Sequence, residues 1–165
     1  MQPTRAYIGI GSNLDDPVTQ VRWALQALHI LPASRCVAQS PLYRTAPVGG
    51  PPDQPDYMNA AAALETTLSP DALLTELQRL EAARGRVRST YWGPRTLDLD
   101  LLLYGQITRT DPRLTLPHPR LHERAFVLYP LYDIAPTLNI PGWGRLAELL
   151  ARCAPTTVVR LDNPD

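Results

Sequence analysis

The first part of the chain alternates between short apolar runs and a segment in which apolar residues recur at helical spacing. Residues 6–11 form an apolar run with a β-branched centre, which predicts a first strand buried on both faces. The spacing over 18–31 predicts a helix that Pro32 ends. Residues 34–44 predict a second strand, in which Pro41 is tolerated only near an edge or a bulge.

The following segments predict another strand, a helix and a strand. Residues 57–67 predict a third strand, although their alanines leave a helix possible. Ser69 and Pro70 are typical of a helix N-cap and first turn, and we expect the helix that they begin to end at Gly85. The apolar run over 97–104 predicts a further strand.

Beyond this strand the hydrophobic pattern is weaker. Gly105-Gln106 indicates a tight hairpin turn into Ile107-Thr108. Short helices are expected over 121–132 and around Leu146–Arg152. Long segments without regular periodicity are often functional, and here they cover 45–56, 86–96 and 111–120.

The predicted order of elements is strand, helix, strand, strand, helix, strand, with further elements appended. This is the order of the ferredoxin-like split βαβ fold, an α+β architecture. It predicts a mostly antiparallel sheet with two helices packed on one face. A length of 165 residues without a linker-like segment predicts a single domain over 1–165.

The amino-acid composition gives moderate information about the class of protein. The formal net charge is zero, which gives no support to nucleic acid or an anionic membrane as a partner. The N-terminus lacks a signal pattern, no apolar run approaches the ~18 residues of a membrane span, and Cys36 and Cys153 do not make a disulfide framework. We therefore expect a soluble, cytoplasmic protein. All 16 basic residues are arginines, which codon bias explains as well as a preference for bidentate phosphate binding does.

The sharpest chemical feature is an acidic pair in the predicted strand over 97–104. Because strand side chains alternate, Asp98 and Asp100 point the same way, with Cα atoms roughly 7 Å apart, and the leucines between them point into the opposite layer. Two adjacent carboxylates repel unless a cation lies between them, and Mg²⁺ prefers such oxygen ligands. A solvated strand face that happens to carry two acids is the alternative, and for this motif alone it is the more common one.

Arginines precede the acidic pair. Between residues 79 and 95 the single acid is Glu81, whereas the arginines are Arg79, Arg84, Arg86, Arg88 and Arg95. Most charge runs are solvated faces, but metal ions and arginines together are the recurring equipment of phosphoryl transfer. His118 lies between two prolines in an irregular segment. Contact with a ligand is therefore more readily expected for it than for a histidine in the core.

Other polar and aromatic positions are ambiguous from the residues alone. Trp92 could equally stack on a planar ring or fill the core. Tyr57 and Asn59 share one face of the third strand, where a half-exposed strand start is the simpler interpretation. Gly9 and Gly11 are interpreted as a tight strand exit, since a chain without lysine cannot form a Walker phosphate loop.

The motifs occur in a recognisable order along nearly the whole chain. They are YIGIGSNL, SPLYRTAPVGG, DQPDYMNAAAALET, GRVR, WGPRTLDLDLLLYG and LTLPHPRLHERAFVLYPL. In this order they resemble the 6-hydroxymethyl-7,8-dihydropterin pyrophosphokinases, and WGPRTLDLD is the most specific segment. The resemblance implies a ferredoxin-like, usually monomeric enzyme with mobile catalytic loops.

The resemblance also implies a reaction and a set of site residues. ATP would give its β,γ-pyrophosphoryl group to the pterin hydroxymethyl oxygen, with release of AMP, in folate biosynthesis. Asp98 and Asp100 would hold two Mg²⁺ ions, and Arg86 and Arg95 would act on the phosphates beside them. The positions that match the ATP side are Gln78, Glu81, Arg88, Trp92, Arg95, Arg113, Thr115, His118 and Arg124. Those that match the pterin pocket are Thr45, Pro47, Val48, Tyr57, Asn59 and Phe126.

The chain departs from the family pattern at Tyr91, at Pro119 and in a loop before Trp92 that is one residue shorter. These departures bear on loop closure and on fine ATP contacts. Two other classes of function remain open. One is an RNA-binding sheet, which the acidic strand and the lack of an aromatic RNP pattern disfavour. The other is a phosphate-ester hydrolase or a relative that only binds nucleotide, either of which would use the same acidic pair.

Overall fold

The computed structural model describes residues 2–13, 16–45, 56–84, 97–153 and 158–161. Its helices are α1 (Pro17–His29), α2 (Pro70–Ala83), α3 (Ala125–Ile134) and α4 (Leu146–Arg152), with a short 3₁₀ turn over Leu121–Glu123. The strands of the main sheet are β1 (Thr4–Ser12), β2 (Ser34–Gln39), β3 (Tyr43–Thr45), β4 (Tyr57–Thr66), β5 (Asp98–Tyr104) and β10 (Val158–Arg160). Two small hairpins consist of β6 (Arg109–Thr110) with β7 (Thr115–Leu116) and β8 (Asn139–Ile140) with β9 (Gly144–Arg145).

The main sheet is antiparallel throughout its described pairs. Its order is β10-β3-β4-β1-β5, and β2 pairs with β4 as well. This confirms the predicted ferredoxin-like α+β fold. The third strand is confirmed over Tyr57–Thr66 despite its alanines, because β4 pairs with β1 along its whole length.

The segment predicted as one strand over 34–44 is two strands, so that prediction is wrong in detail. Both β2 and β3 pair with β4, and the chain leaves the sheet briefly between them. Pro41 lies in this break and has no N–H to donate to a ladder. Ser40 maintains the pairing there, because its amide donates to the Ala61 carbonyl oxygen at 2.9 Å and its Oγ accepts from the Ala61 amide at 2.9 Å.

The predicted hairpin at Gly105-Gln106 is also wrong. Gly105 does make a turn, with φ of +56°, and its amide donates to the Arg5 carbonyl oxygen at 2.7 Å. The strand that follows pairs with β7 instead of returning along β5. Arg109 anchors this hairpin to α2, since its guanidinium donates to both carboxylate oxygens of Asp71, at 2.8 and 2.9 Å.

Most of the predicted helix ends agree with the structure. In α2, the Ser69 side chain caps the helix by accepting from the Ala72 amide at 3.1 Å, and Pro70 is the first helical residue, as the sequence predicts. The helix α4 has the predicted bounds, and α1 ends two residues earlier than predicted. The segment predicted as one helix over 121–132 is a 3₁₀ turn followed by α3. Gly85, expected at the end of α2, lies outside the described residues.

The core has two layers, one on each face of the sheet. On the first face, α1 and α2 pack against residues that include Ile8, Ile10, Leu99 and Leu101. On the second face, α3 and α4 pack against a smaller group that includes Tyr7, Ala63 and Leu103. The two predicted helices share one face as expected, and the appended helices cover part of the other.

Candidate active site

The acidic pair lies on β5, the outermost strand of the main sheet within the described residues. Asp98 and Asp100 are both half-buried, whereas Leu97, Leu99 and Leu101 are buried in the first layer of the core. This confirms the alternation read from the sequence. The two carboxylates therefore share the second face of the sheet. A bulge after Leu101 then shifts the register, so that Tyr104 faces the first core layer instead of the acidic side.

Two glycines lie directly beside the acids. Gly11 pairs with Asp98 and Gly9 with Asp100. Gly11 is next to the last residue of β1, as a strand exit predicts, whereas Gly9 lies inside the strand, so that interpretation is wrong for Gly9. A Cβ on Gly11 would lie 3.0 Å from the Asn59 side-chain nitrogen, so any larger residue would have to displace the Asn59 amide. The G-x-G alternation within an apolar run is the sequence signal for this close approach.

On the other side of β1, Asn59 and Thr45 form a buried polar pair. Asn59 is 6% exposed, and its Oδ1 accepts a hydrogen bond from Thr45 Oγ1 at 3.1 Å. Tyr57, which is half-buried, pairs with Thr45 in the β3–β4 ladder. The structure thus brings three of the predicted pterin-side residues together. Pro47 and Val48 lie outside the described residues.

Asn59, Gly11 and Asp98 occupy one row across three strands, because Gly11 pairs with Asn59 on one side and with Asp98 on the other. Neighbouring strands are ~4.8 Å apart, so the Asn59 and Asp98 backbones are separated by about 10 Å. The buried amide and the acidic pair are therefore two ends of one surface on the same sheet face.

A cleft of about 270 Å³ adjoins the acidic pair. It is bounded by β5, α2 and the segment around β7, and its lining includes Asp100, Arg113, Thr115 and His118 together with apolar residues such as Leu74 and Leu101. Four of the residues predicted from the sequence thus share one concave site. Gln78 is exposed on α2, one helical turn beyond Leu74.

The rim of this cleft is held by a network of ion pairs. Asp71 accepts from Arg109 and lies 3.3 Å from Arg113 Nε, and Arg113 Nη2 donates to Thr75 Oγ1 at 2.7 Å. The hydrogen bonds from Arg109 hold the pKa values of Asp71 and Asp111 below their usual range. Arg113, predicted on the ATP side, is therefore pre-oriented by α2 at the mouth of the cleft.

His118 is neutral at physiological pH. Burial, together with the nearby guanidinium groups of Arg124 and Arg120, lowers its pKa to about 4. Its Nδ1 accepts from the Arg120 amide at 3.2 Å, and its own amide donates to the Leu102 carbonyl oxygen at 2.9 Å. The imidazole is thus presented to the cleft as a neutral group in a fixed orientation.

Glu81 is enclosed between α2 and β5. Its side chain is 6% exposed, and its carboxylate accepts from the Leu99 amide at 2.7 Å. Helical spacing signals its burial, because Glu81 follows Leu77 by four residues and so lies on the apolar face of α2. The sequence does not show that its partner is the Leu99 amide. Glu81 differs in its burial from Gln78, which lies on the exposed side of the same helix.

The remaining predicted residues are partly placed. Arg124 lies over the ring of Phe126 at 5.6 Å, at the start of α3. Two other members of the arginine cluster contact groups outside the cleft: Arg79 pairs with Glu76, and Arg84 donates to Gln20 and packs over Trp23. The predicted positions that lie outside the described residues are Arg86, Arg88, Tyr91, Trp92 and Arg95.

The donor set of the acidic pair fits a hard divalent cation such as Mg²⁺. Two carboxylates on one strand face supply oxygen ligands and leave the other positions to water or to ligand phosphates, as Mg²⁺ sites of nucleotide enzymes require. The described residues contain no group of three or more His, Cys, Asp or Glu side chains arranged for a metal. The pair thus suits a cation shared with a phosphorylated ligand.

A carboxylate pair that can hold Mg²⁺, beside a cleft with Arg113 at its mouth, is the kind of equipment that phosphoryl-transfer enzymes use. The family model for 7,8-dihydro-6-hydroxymethylpterin-pyrophosphokinase (HPPK) matches residues 7–136. The chain belongs to this family, and is accordingly a transferase of folate biosynthesis.

Individual relatives agree with this assignment. A 2-amino-4-hydroxy-6-hydroxymethyldihydropteridine pyrophosphokinase from Pseudomonas aeruginosa is 51% identical over 157 residues, which cover 95% of this chain and 96% of the relative. The protein of the same name from Haemophilus influenzae is 48% identical over 159 residues, or 96% of this chain and 98% of the relative.

A solved structure shows the same fold at much lower identity. A Plasmodium falciparum HPPK-DHPS superimposes with a TM-score of 0.73 at 12% identity, over 92% of this chain. The matched region is 45% of the Plasmodium chain, so this chain spans less than half of that protein. Within the described residues, none of the helices is long and apolar enough to cross a membrane.

Proposed function

We propose that the enzyme transfers the β,γ-pyrophosphoryl group of ATP to the hydroxymethyl oxygen of 6-hydroxymethyl-7,8-dihydropterin and releases AMP. The observation that carries this proposal is the row Asn59–Gly11–Asp98, which joins a buried amide to an acidic pair on one sheet face. An amide offers both a donor and an acceptor to the edge of a pterin ring. The acids and the cleft beside them suit a polyphosphate.

In this reaction the pterin hydroxymethyl oxygen bonds to the β-phosphorus of ATP. The bond between that phosphorus and the oxygen bridging it to the α-phosphorus breaks, AMP leaves with that oxygen, and the hydroxyl proton is released. Little covalent chemistry is left to the protein, so its residues chiefly position the two substrates and neutralise charge. Two Mg²⁺ ions, held by Asp98 and Asp100, would supply charge neutralisation at the phosphate oxygens when bound.

The chain's own groups divide between two substrates. We assign Gln78, Arg113, Thr115, His118 and Arg124 to the ATP side, because three of them, Arg113, Thr115 and His118, line the cleft beside Asp100. A neutral His118 can donate or accept a hydrogen bond there without adding charge. The assignment extends to Arg86, Arg88, Trp92 and Arg95 on the strength of the family resemblance.

The pterin side is assigned to residues that flank the buried amide. Thr45 holds the Asn59 amide in one orientation through its hydroxyl, which leaves the amide nitrogen to donate elsewhere. Tyr57 and Phe126 would supply the aromatic surface on which the bicyclic ring stacks. Pro47 and Val48 are included from the resemblance. We further propose that 1–165 acts as one domain, as a monomer in the cytoplasm, with neither nucleic acid nor a membrane as partner.

Product analysis tests the reaction directly. The protein is mixed with ATP, Mg²⁺ and 6-hydroxymethyl-7,8-dihydropterin, and the products are separated by anion-exchange chromatography. AMP formed one-for-one with a pterin pyrophosphate is the expected result. Formation of ADP or inorganic phosphate would contradict the proposal and indicate an ordinary kinase or a hydrolase, whereas ATP binding without turnover would indicate a relative that only binds nucleotide.

A further inference from the structure

Glu81 makes a contact that its predicted place on the ATP side does not explain. Its carboxylate oxygen Oε2 lies 2.7 Å from the amide nitrogen of Leu99, and the side chain is 6% exposed. Leu99 is the residue between Asp98 and Asp100. Glu81 therefore contacts the backbone between the two acids, from a position almost closed to solvent.

Among the described residues, the contact lies at the edge of the main sheet. Strand β5 pairs with β1 on one side, so on its other side the backbone groups need partners outside the sheet. Glu81 satisfies the Leu99 amide there, and the His118 amide satisfies the Leu102 carbonyl oxygen at 2.9 Å. The edge of β5 is thus fixed at two points, one of them directly between the acids.

The hydrogen bond from the Leu99 amide to the Glu81 carboxylate is stronger than a hydrogen bond between two peptide groups of a strand ladder. A hydrogen bond to a carboxylate is shorter and about twice as strong as one between neutral groups. Burial of a carboxylate is costly, and an amide acceptor would satisfy the Leu99 N–H without that cost. The charged acceptor therefore holds the Leu99 amide more firmly than a neutral acceptor would.

We propose that Glu81 is a positioning residue for the acidic pair, acting through the Leu99 amide to hold Asp98 and Asp100 in one shared orientation. The inference rests on the proposed function of those two acids as cation ligands. It replaces the expected contact of Glu81 with ATP, since a side chain this enclosed has little surface left for a nucleotide. Groups that orient a metal ligand typically change metal affinity or activity 10–100-fold when removed.

The first experiment measures the hydrogen bond between the Leu99 amide and Glu81. In ¹⁵N–¹H spectra of the full-length protein, the Leu99 amide proton is expected far downfield and protected from exchange. Glu81→Gln moves it upfield, and Glu81→Ala moves it further and speeds its exchange. Glu76→Gln changes a half-buried carboxylate of the same helix that pairs with Arg79, and this matched control leaves the Leu99 resonance in place. An unmoved Leu99 resonance in Glu81→Ala would overturn the proposal.

The second experiment measures cation binding at the acidic pair. Mn²⁺ binding is titrated by electron paramagnetic resonance in the presence of the α,β-methylene analogue of ATP, whose α–β bridge cannot be cleaved. Mn²⁺ affinity is expected to fall about 10–100-fold in Glu81→Ala and less in Glu81→Gln, which keeps an acceptor oxygen. Analogue affinity without metal stays within about threefold of wild type, since the residue does not touch the nucleotide.

Two outcomes separate this inference from the proposed function. A variant that loses analogue affinity but keeps Mn²⁺ affinity would place Glu81 in direct contact with nucleotide and contradict the positioning role. If the wild-type protein formed no AMP and pterin pyrophosphate, the proposed reaction would fail, while the Leu99 resonance and the Mn²⁺ titration would still decide the role of Glu81. Should Glu81→Ala not fold, the isosteric Glu81→Gln carries both measurements.

Discussion

The two faces of the main sheet use the same strands for different purposes. Toward α1 and α2, the alternating residues of β1 and β5 are large and apolar, as Ile8 and Leu101 illustrate. Toward the other side, Gly9, Gly11 and the two acids lie at one end of these strands, whereas Tyr7 and Leu103 at the other end pack with α3 and α4. One face thus stabilises the sheet along its length, and the other combines a smaller core with a surface suited to a ligand. Substitutions on the two faces should therefore fail in different ways.

The largest effect is expected on the acidic face. Asp98→Ala should lower kcat by about 10³-fold, because it removes one of two anionic ligands from a site whose chemistry is almost wholly electrostatic. The thermal midpoint should stay close to wild type, since the side chain is only half-buried. Steady-state assays of AMP release check this, with Glu65→Gln at the far end of β4 as the control. Unchanged kcat at saturating Mg²⁺ would rule out the role of Asp98.

The apolar face should respond in the opposite way. Ile8 is fully buried, so Ile8→Ala should lower the free energy of unfolding by about 2–5 kcal/mol through lost burial and a cavity. The kcat of the molecules that remain folded should stay within about threefold of wild type. Urea unfolding and active-site titration measure the two quantities. A large loss of kcat with unchanged stability would break the division between the faces.

A smaller effect is expected from a substitution at Gly11, where the bare backbone lies beside the Asn59 side chain. Gly11→Ala would place a methyl group 3.0 Å from the Asn59 amide nitrogen and displace that amide. We expect the KM for the pterin to rise about tenfold, which corresponds to about 1.4 kcal/mol of binding free energy, with little change for ATP. Gly9→Ala is the matched control, because its added methyl meets the flexible Leu102 side chain at 3.3 Å. Equal effects of the two substitutions on the KM would contradict the assignment.

The last prediction is a pH dependence of stability from His118. Its pKa is about 4 in the folded protein and near 6.5 when unfolded, so the unfolded chain takes up a proton first as the pH falls. Stability should therefore decrease between about pH 6.5 and pH 4 and be unaffected by this group at higher pH. NMR titration of the imidazole gives its pKa directly. His118→Gln should flatten that part of the stability profile, and an imidazole that titrated near pH 6.5 would refute the prediction.

Much of the fold followed from local pattern. The alternation in β5 predicted that Leu97, Leu99 and Leu101 are buried and that Asp98 and Asp100 share the other face. Ser69 and Pro70 marked the start of α2. Periodicity failed for the small hairpin after β5. Its strands β6 and β7 have two residues each, which is too short for an alternation to show, and the ion pair between Arg109 and Asp71 that anchors it joins residues far apart in the chain.

The candidate site was likewise predictable from the sequence only in part. The acidic pair and its shared direction were accessible from period-two alternation alone. The contact between Glu81 and Leu99 was not, because helical spacing places Glu81 on the buried face of α2 but does not name its partner on β5. The place of Gly11 between Asn59 and Asp98 was hidden for a related reason, since only the strand pairing reveals it.

The covered edge of β5 has a consequence for how molecules of this enzyme meet in solution. An open strand edge is a template on which a second chain can add its own strand, and such pairing leads to aggregation. Here Glu81 occupies the edge at Leu99, and the backbone of His118 occupies it at Leu102. The groups that steady the acid-bearing strand therefore also protect the enzyme from edge-to-edge association at high concentration.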